Sequence, residues 1–155
     1  MEKTNALRFL TQKKIPFEHF TYSTDCTDGM GIADLLSQPY NLVFKTLVTV
    51  ANTREHLVFV VPVDKTLDLK KAAKCAGVKS VEMIKQKELL PLTGYVHGGC
   101  SPVGMKKQFR TFIHESIQNE DVFFVSAGKV GMQMKINPKA LANLINATFV
   151  SIVAD

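Results

Sequence analysis

The sequence predicts an α+β fold (mixed α/β) in one domain over residues 1–155. Apolar, β-branched runs interleave with short segments that begin at helix-capping residues, but without the strict strand–helix–strand repeat of a parallel sheet. A chain of 155 residues with 46% hydrophobic content is long enough for one sizeable core and too short to suggest two. We therefore expect a curved mixed β-sheet, or a partly closed barrel, with helices around it.

The first half of the chain contains two helix signals and three strand signals. In order, they are a helix that Thr4 caps and that ends near residue 13, a strand over 17–22, a short helix over 32–37, and strands over 42–51 and 57–63. Pro16 breaks the first helix, and residues 52–55 have the composition of a turn between the two long strands. This pattern predicts a hairpin at the centre of the sheet.

In the second half of the chain, predicted helices and strands alternate over shorter segments. Its predicted elements are a helix over 69–76 that Asp68 caps and Gly77 ends, a strand over 78–83, a helical turn over 87–90 that Pro91 ends, strands over 108–114, 122–126 and 132–136, a helix from Asn137-Pro138 to about 146, and a closing strand over 149–153. The Asn-Pro pair is typical of a helix start, because asparagine caps and proline suits the first turn.

Two glycine-bracketed basic segments, residues 98–107 and 126–131, predict loops of a special kind. Glycine lets a backbone approach a ligand closely, and neighbouring amide N–H groups beside lysines suit a phosphate or an oxyanion. The alternative is a pair of tight connections with ordinary solvated lysines. Neither segment matches the phosphate-binding or dinucleotide-binding glycine motifs, so the segments alone identify no reaction.

The balance of charge favours a polyanionic partner. Lys and Arg number 19 against 14 Asp and Glu, giving a net charge of +5 and a pI near 9.1, although this excess also suits solubility alone. The basic residues gather over 65–87 and at Lys106, Lys107, Arg110 and Lys129, which is more typical of a folded nucleic-acid surface than of a basic tail.

The sequence disfavours a metal site and a membrane-spanning or exported protein. The three cysteines and four histidines show no metal-ligand spacing, so we expect no metal and no cofactor. There is no apolar leader and no run of the roughly 18 residues a membrane span needs, so we expect a cytoplasmic protein without membrane contact.

Lys45 is the most informative single residue, because it lies inside an apolar strand. Alternation places it on the strand face of Val43, Leu47 and Thr49. Burial disfavours an ammonium group, and such a lysine usually binds an anion. A lysine that snorkels or protects a sheet edge would show the same pattern, so the pattern alone leaves both interpretations open.

Four motifs together resemble those of a known family. They are residues 43–47 (VFKTL), 67–71 (LDLKK), 98–104 (GGCSPVG) and 125–131 (VSAGKVG). In this order and spacing, and over a match from about Leu7 to Val150, they resemble the YbaK/EbsC family of aminoacyl-tRNA deacylases, which is related to the editing domain of bacterial prolyl-tRNA synthetases. The resemblance implies hydrolysis of mischarged tRNA, most often Cys-tRNA(Pro), with tRNA as partner and prolyl-tRNA synthetase as a further candidate.

The resemblance also implies a site. Lys45 matches the catalytic lysine, and the candidate substrate-binding residues are Tyr22, Met30, Thr46, Gly98, Gly99, Ser101, Pro102, Gly104, Ser126, Gly128 and Gln133. Gln133 stands where many members carry an acid, Met30 is the nearest candidate where some carry an aromatic residue, and Val130 replaces a common arginine. These departures bear on amino-acid selectivity and on one tRNA contact.

The implied chemistry uses the substrate's own thiol, which attacks the ester carbonyl and leaves as a thiolactone, an intramolecular route that proximity favours. Lys45 would bind the terminal phosphate or the carbonyl. Cys100 is interpreted as a structural residue, as are Cys26 and Cys75. Two rival hypotheses are a tRNA- or synthetase-binding module without hydrolysis and a small-molecule phosphate-binding enzyme.

Overall fold

The structure, a computed structural model, describes residues 3–23, 25 and 28–155. The α-helices of these residues are α1 (Asn5–Gln12), α2 (Gly29–Leu35), α3 (Leu69–Ala76), α4 (Gln86–Thr93) and α5 (Pro138–Ile145). The strands are β1 (Glu18–Thr21), β2 (Phe44–Ala51), β3 (His56–Pro62), β4 (Val81–Met83), β5 (Arg110–His114), β6 (Phe123–Lys129), β7 (Met132–Ile136) and β8 (Thr148–Val150). The α+β class is confirmed. Cys26 lies outside the described residues.

Capping side chains begin the helices as their sequence signals indicate. Thr4 accepts a hydrogen bond from the Leu7 N–H at 3.1 Å, and Asn137 accepts one from the Ala140 N–H at 2.9 Å. Asp68 caps α3, which ends at Gly77 in the left-handed conformation with φ of 73°. Each cap satisfies donors that a helix start leaves unpaired, which is why local sequence predicts these boundaries well.

The strands divide between two sheets instead of one. The smaller sheet has the order β1-β7-β6 and is antiparallel, while the larger has the order β4-β2-β3-β5-β8. In the larger sheet β2 pairs antiparallel with β3 and β4, and β5 pairs parallel with β3 and β8. A parallel bridge between Val43 and Phe124 joins the sheets.

Both faces of the larger sheet are covered. Phe44, Val48 and Val60 pack into the main core with α1, α5 and the smaller sheet, whereas the alternate side chains Leu57 and Phe59 pack under α3. Because successive strand residues point to opposite faces, β3 needs a continuous apolar sequence rather than an alternating one.

Pro91 does not end the predicted helical turn, which was a wrong prediction, because it lies inside α4. Proline removes only one backbone donor here, and the turn around it is held by other bonds. The Thr93 hydroxyl donates to the Leu89 carbonyl at 2.8 Å, and the Gly94 N–H donates to the Leu90 carbonyl at 2.9 Å. The helix ends at Gly94, whose φ is 87°.

The second glycine segment is mostly strand, so the prediction of a loop over 126–131 is wrong. Strand β6 continues through Lys129 and pairs with β7, with an irregularity in register between Ser126 and Lys129. An irregularity of this kind accommodates extra residues without ending the ladder. Helix α2 also differs from its prediction, since Asp28 accepts from the Gly31 N–H at 3.2 Å and starts the helix at Gly29.

The helices in the described part of the chain are all too short or too polar to cross a bilayer.

Candidate active site

A pocket of about 490 Å³ opens between the two sheets. Its walls come from the first half of β2, the start of α2, the end of β4, the first turn of α4, the segment after α4, and strands β6 and β7. Volumes of roughly 300–1,000 Å³ are typical of sites for small ligands. The pocket can therefore hold part of a larger substrate, such as the end of a chain.

The floor of the pocket is an open strand edge. Ala51 donates its N–H to Glu55 and Val63 donates its N–H to Val43, so the odd-numbered residues of β2 bond to β3. By the alternation of an antiparallel ladder, the backbone N–H and C=O of Thr46 point to the other edge. Strand β4 pairs there only with residues 49–51, so no described strand covers Thr46.

The opposite wall is formed by the smaller sheet. The Val43–Phe124 bridge starts β6 alongside β2, and Ser126 on β6 is the cross-strand partner of Gln133 on β7. Both Ser126 and Gln133 line the pocket together with Lys45. The bridge thus aligns two strands that then separate, and the pocket occupies the space between them.

Lys45 lies partly buried in the wall, opposite Val61 in the β2–β3 ladder. Burial lowers the pKa of its ammonium group, while the nearby charges of Asp28 and Asp64 act in the opposite direction. A cation that has lost part of its hydration gains more from an anionic or polarised ligand than a fully solvated one does. Lys45 is therefore suited to stabilising negative charge on a bound group.

Two polar atoms in the wall lack hydrogen-bond partners among the described residues. They are Oγ1 of Thr46 and Oε1 of Gln133, both fully buried, and the Gln133 residue is only 4% exposed. Buried polar atoms in folded proteins are nearly always satisfied, and unsatisfied ones require an explanation. Since both residues line the pocket, a bound ligand is the simplest partner for them.

The structure brings together part of the candidate site. The candidates that line the pocket are Lys45, Thr46, Gly98, Ser126 and Gln133. The candidates outside its wall are Tyr22, Met30, Gly99, Ser101, Pro102, Gly104 and Gly128. Most residues of this second group make packing or backbone contacts elsewhere in the fold.

Gly104 and Gly128 both pack against Tyr95, where an added Cβ would lie 2.8 Å and 2.9 Å from the ring hydroxyl and ring carbon respectively. Ser101 is fully buried, and its hydroxyl accepts from the Val103 N–H at 3.3 Å. These contacts join the Gly98–Gly104 segment to the core. They are structural contacts outside the pocket wall.

Tyr22 and Met30 are not part of the pocket wall. The Tyr22 N–H donates to the Gly131 carbonyl at 2.9 Å, which ties the end of β1 to the β6–β7 turn. Met30 is 39% exposed on α2. Pro102 is buried beside the first glycine segment.

Sequence reasoning did not place four polar residues in the wall, Asp28, Gln86, His97 and Cys100. Asp28 had a local signal, since an aspartate before Gly-Met-Gly suits a helix cap, but nothing in the pattern directs it to a ligand. His97 and Cys100 flank Gly98 and Gly99, whose path the sequence did not define. On α2, the wall therefore contains the capping residue Asp28 instead of the expected Met30.

The thiol of Cys100 is not activated. Burial raises its pKa to about 12, and the residue is 9% exposed. A thiol is nucleophilic as its thiolate, which this environment disfavours at neutral pH. In the described ranges, no three His, Cys, Asp or Glu side chains converge to hold a metal ion.

Comparison with known proteins agrees with this geometry. Residues 31–144 match the family model described as the aminoacyl-tRNA editing domain. EbsC of Enterococcus faecalis (strain ATCC 700802 / V583), described as an inferred Cys-tRNA(Pro)/Cys-tRNA(Cys) deacylase, is 45% identical over 153 residues, which cover 97% of this chain and 93% of that protein.

Solved structures show the same fold. One is an inferred trans-editing enzyme for prolyl-tRNA synthetase, with a TM-score of 0.86, 19% identity and full coverage of both chains. Another, the hypothetical protein APE2540, has a TM-score of 0.89 at 19% identity and covers 97% of this chain and 99% of its own. The resemblance drawn from the four motifs is thus confirmed, and the chain belongs to the aminoacyl-tRNA editing domain family.

Proposed function

We propose that this protein is a trans-editing deacylase that removes cysteine from mischarged tRNA(Pro). The observation that carries the proposal is the pocket that holds Lys45 beside two buried, unsatisfied polar atoms, in a chain of the editing family. The 45% identity to a protein named for Cys-tRNA(Pro) and Cys-tRNA(Cys) supports cysteinyl esters as the substrate class. The substrate's polynucleotide is tRNA, bound at its aminoacylated 3′ end.

Lys45 is the proposed catalytic residue, and its role is electrostatic. Its ammonium group would bind the terminal phosphate or the ester carbonyl, where negative charge develops as the carbonyl carbon becomes tetrahedral. Thr46, Gly98, Ser126 and Gln133 are the proposed substrate-binding residues, since they line the same pocket. The open edge at Thr46 adds a backbone donor and acceptor.

The proposed nucleophile is the thiol of the substrate. Its sulfur attacks the carbonyl carbon, the bond from that carbon to the ribose oxygen breaks, and the thiol proton passes to that oxygen, with the adjacent 2′-OH as a relay. The products are a cysteine thiolactone and deacylated tRNA, so no oxidant or external base is consumed. The protonated, buried state of Cys100 supports this route over a covalent enzyme thioester.

The proposal extends to the setting of the reaction. We propose that residues 1–155 form one editing domain, because the solved relatives match the chain over 97–100% of its length. We also propose that the protein works in the cytoplasm, where tRNA is charged, and that prolyl-tRNA synthetase is a candidate partner. The description of one structural relative supports the partner proposal.

A deacylation panel tests the function. Purified protein is mixed with tRNA(Pro) charged separately with cysteine, alanine, proline or serine, and with Cys-tRNA(Cys), and the loss of labelled amino acid is followed. We expect fast release of cysteine only. Binding of every charged tRNA without release would favour the binding module, and neither binding nor release would favour a small-molecule phosphate-binding enzyme.

A further inference from the structure

Besides the Lys45 ammonium group, the pocket wall contains hydrogen-bond acceptors that could bind a cationic group of a ligand. We propose that Asp28, together with Gln133 and Thr46, binds the α-ammonium group of the aminoacyl ester. The inference rests on the proposed function and specifies how that site recognises its substrate. Asp28 is the new element, since no sequence motif and no comparison assigns it a role.

Asp28 supplies a fixed negative charge at the pocket wall. Its Oδ2 accepts from the Gly31 N–H at 3.2 Å, so the start of α2 holds the side chain in place. A carboxylate has about four acceptor positions, so it can accept from a ligand in addition to its partners within the protein. The influence of Asp28 on the Lys45 ammonium shows that the carboxylate lies within electrostatic range of the reacting end of the pocket.

Gln133 and Thr46 supply the neutral acceptors. Oε1 of Gln133 and Oγ1 of Thr46 are buried and make no hydrogen bond to the described residues. An ammonium group has three donors and no acceptor, and it would meet one carboxylate and two neutral oxygens in this wall. Lys45 only donates and repels a cation, so it is left for the carbonyl or phosphate.

This arrangement gives the pocket a direction. The amino group of the ester would face Asp28, and the carbonyl and the nucleotide would face Lys45. A hydrogen bond to a charged group contributes more than a neutral one, so the free amino group would be a large part of recognition. The enzyme would therefore discriminate against esters whose amino group is absent or blocked.

Asp64 provides a matched control. Like Asp28, it acts on Lys45 through its charge, but it is exposed and is not part of the pocket wall. Asp28→Asn and Asp64→Asn therefore remove the same charge, and only the first removes an acceptor from the wall. Asparagine is also a good helix cap, so Asp28→Asn keeps the start of α2.

The test uses two stable analogues that cannot be hydrolysed, the alanyl and propionyl amides of 3′-amino-3′-deoxyadenosine, which differ only in the amino group. Calorimetry measures the binding of each to the wild type and to both variants. We expect Asp28→Asn to weaken the alanyl analogue on the order of 10- to 100-fold, the range for a hydrogen bond to a charged group. The affinity for the propionyl analogue should be unchanged in Asp28→Asn. The Asp64→Asn variant should change the affinities for the two analogues by the same factor.

Equal binding of the two analogues by the wild type would overturn the inference, as would equal losses in the Asp28→Asn and Asp64→Asn variants. Gln133→Met should also weaken the alanyl analogue selectively, because it keeps the volume and removes the acceptor. The proposed function is judged separately by the deacylation panel. A wild type that releases cysteine from tRNA(Pro) yet ignores the amino group would refute this inference alone.

Discussion

The backbone of Gly99 lies so close to Val130 that no side chain fits between them. An added Cβ at Gly99 would be 2.7 Å from the Val130 nitrogen and 2.8 Å from the Lys129 carbonyl carbon. Both are backbone atoms, which cannot rotate out of the way. The first glycine segment, which supplies Gly98 to the pocket, is therefore held directly against the turn between β6 and β7.

Gly99→Ala should destabilise the protein and impair deacylation together, because the two segments must separate to admit a methyl group. We expect a loss of about 1–3 kcal/mol in the free energy of unfolding, as for other overpacked positions. Urea denaturation measures this loss. Gly77→Ala is the control, since nothing lies within 4 Å of its Cβ and only its left-handed φ of 73° is strained. A Gly99→Ala protein as stable and active as the wild type would refute the packing account.

Lys45→Met should reduce deacylation by about 100-fold or more, the scale for loss of one preorganised electrostatic contact. Single-turnover kinetics on Cys-tRNA(Pro) measures this loss. Lys139→Met is a suitable control, because that lysine is exposed and belongs neither to the pocket wall nor to the basic groups expected to contact tRNA. Full activity in a folded Lys45→Met protein would remove Lys45 from the site.

The same variant should melt at an equal or higher temperature than the wild type at neutral pH. Burial lowers the folded-state pKa of Lys45 below its ordinary value of 10.5, so the folded state holds its proton less tightly than the unfolded state. The stability that the charged Lys45 ammonium costs the folded protein is lost in full below the folded-state pKa, and this cost disappears as the pH rises towards 10.5. Melting curves at pH 7 and near pH 10 should therefore show that the difference in melting temperature between Lys45→Met and the wild type shrinks as the pH rises. A gap that widens with pH would contradict this sign.

Cys100→Ser should retain most of the activity, because a thiol with a pKa raised to about 12 is protonated at neutral pH. In the same assay, Ser-tRNA(Pro) should be cleaved far more slowly than Cys-tRNA(Pro), since a hydroxyl is a much poorer nucleophile than a thiol. An inactive Cys100→Ser enzyme would restore a covalent cysteine mechanism. Equal cleavage of the two substrates would indicate water as the nucleophile.

Binding of tRNA should weaken with salt, with a slope of log K against log[salt] of roughly −2 to −5 if three to five phosphates are neutralised. Replacing Lys106 and Lys107 with Ala should make the slope shallower by about one for each phosphate that is no longer neutralised. Filter binding across salt concentrations measures the slope. Glu55→Gln combined with Arg110→Gln should leave it unchanged, because the Arg110 guanidinium is already bonded to Glu55 at 2.8 and 2.9 Å. A salt-independent affinity would contradict a phosphate-based interface.

Local chemistry made much of the fold predictable. The cap at Asp68 and the stop at Gly77 depend on neighbours within a few residues, and the structure has both where the sequence indicates them. Pro91 was misleading because bonds made by Thr93 and Gly94 hold the last turn of α4 around it. Composition signals a break at proline but does not show which later groups replace the lost bond.

The site was less accessible to sequence reasoning. Alternation places Lys45 and Thr46 on opposite faces of β2, yet both line one pocket, because the edge of the strand is open there. Asp28 and Gln133 come from distant parts of the chain and meet only after the two sheets are joined. Periodicity describes the faces of a strand and contains no information about which edge remains uncovered.

The shortness of β4 has a consequence for how this fold diverges. Strand β4 stops at Met83 and pairs with β2 only as far as Thr49, with one further bond from the Ile84 N–H to the Val48 carbonyl at 3.3 Å, so the edge of β2 at Thr46 stays open to the cleft. A substitution in the wall leaves this edge unpaired, whereas an insertion that extended β4 by two or three residues would pair with Thr46 and place backbone in the cleft. Two solved structures with TM-scores of 0.86 and 0.89 share only 19% of their residues with this chain, so the same fold tolerates many side-chain substitutions. Selectivity can thus evolve by point substitution, while loss of the cleft would require a change in chain length.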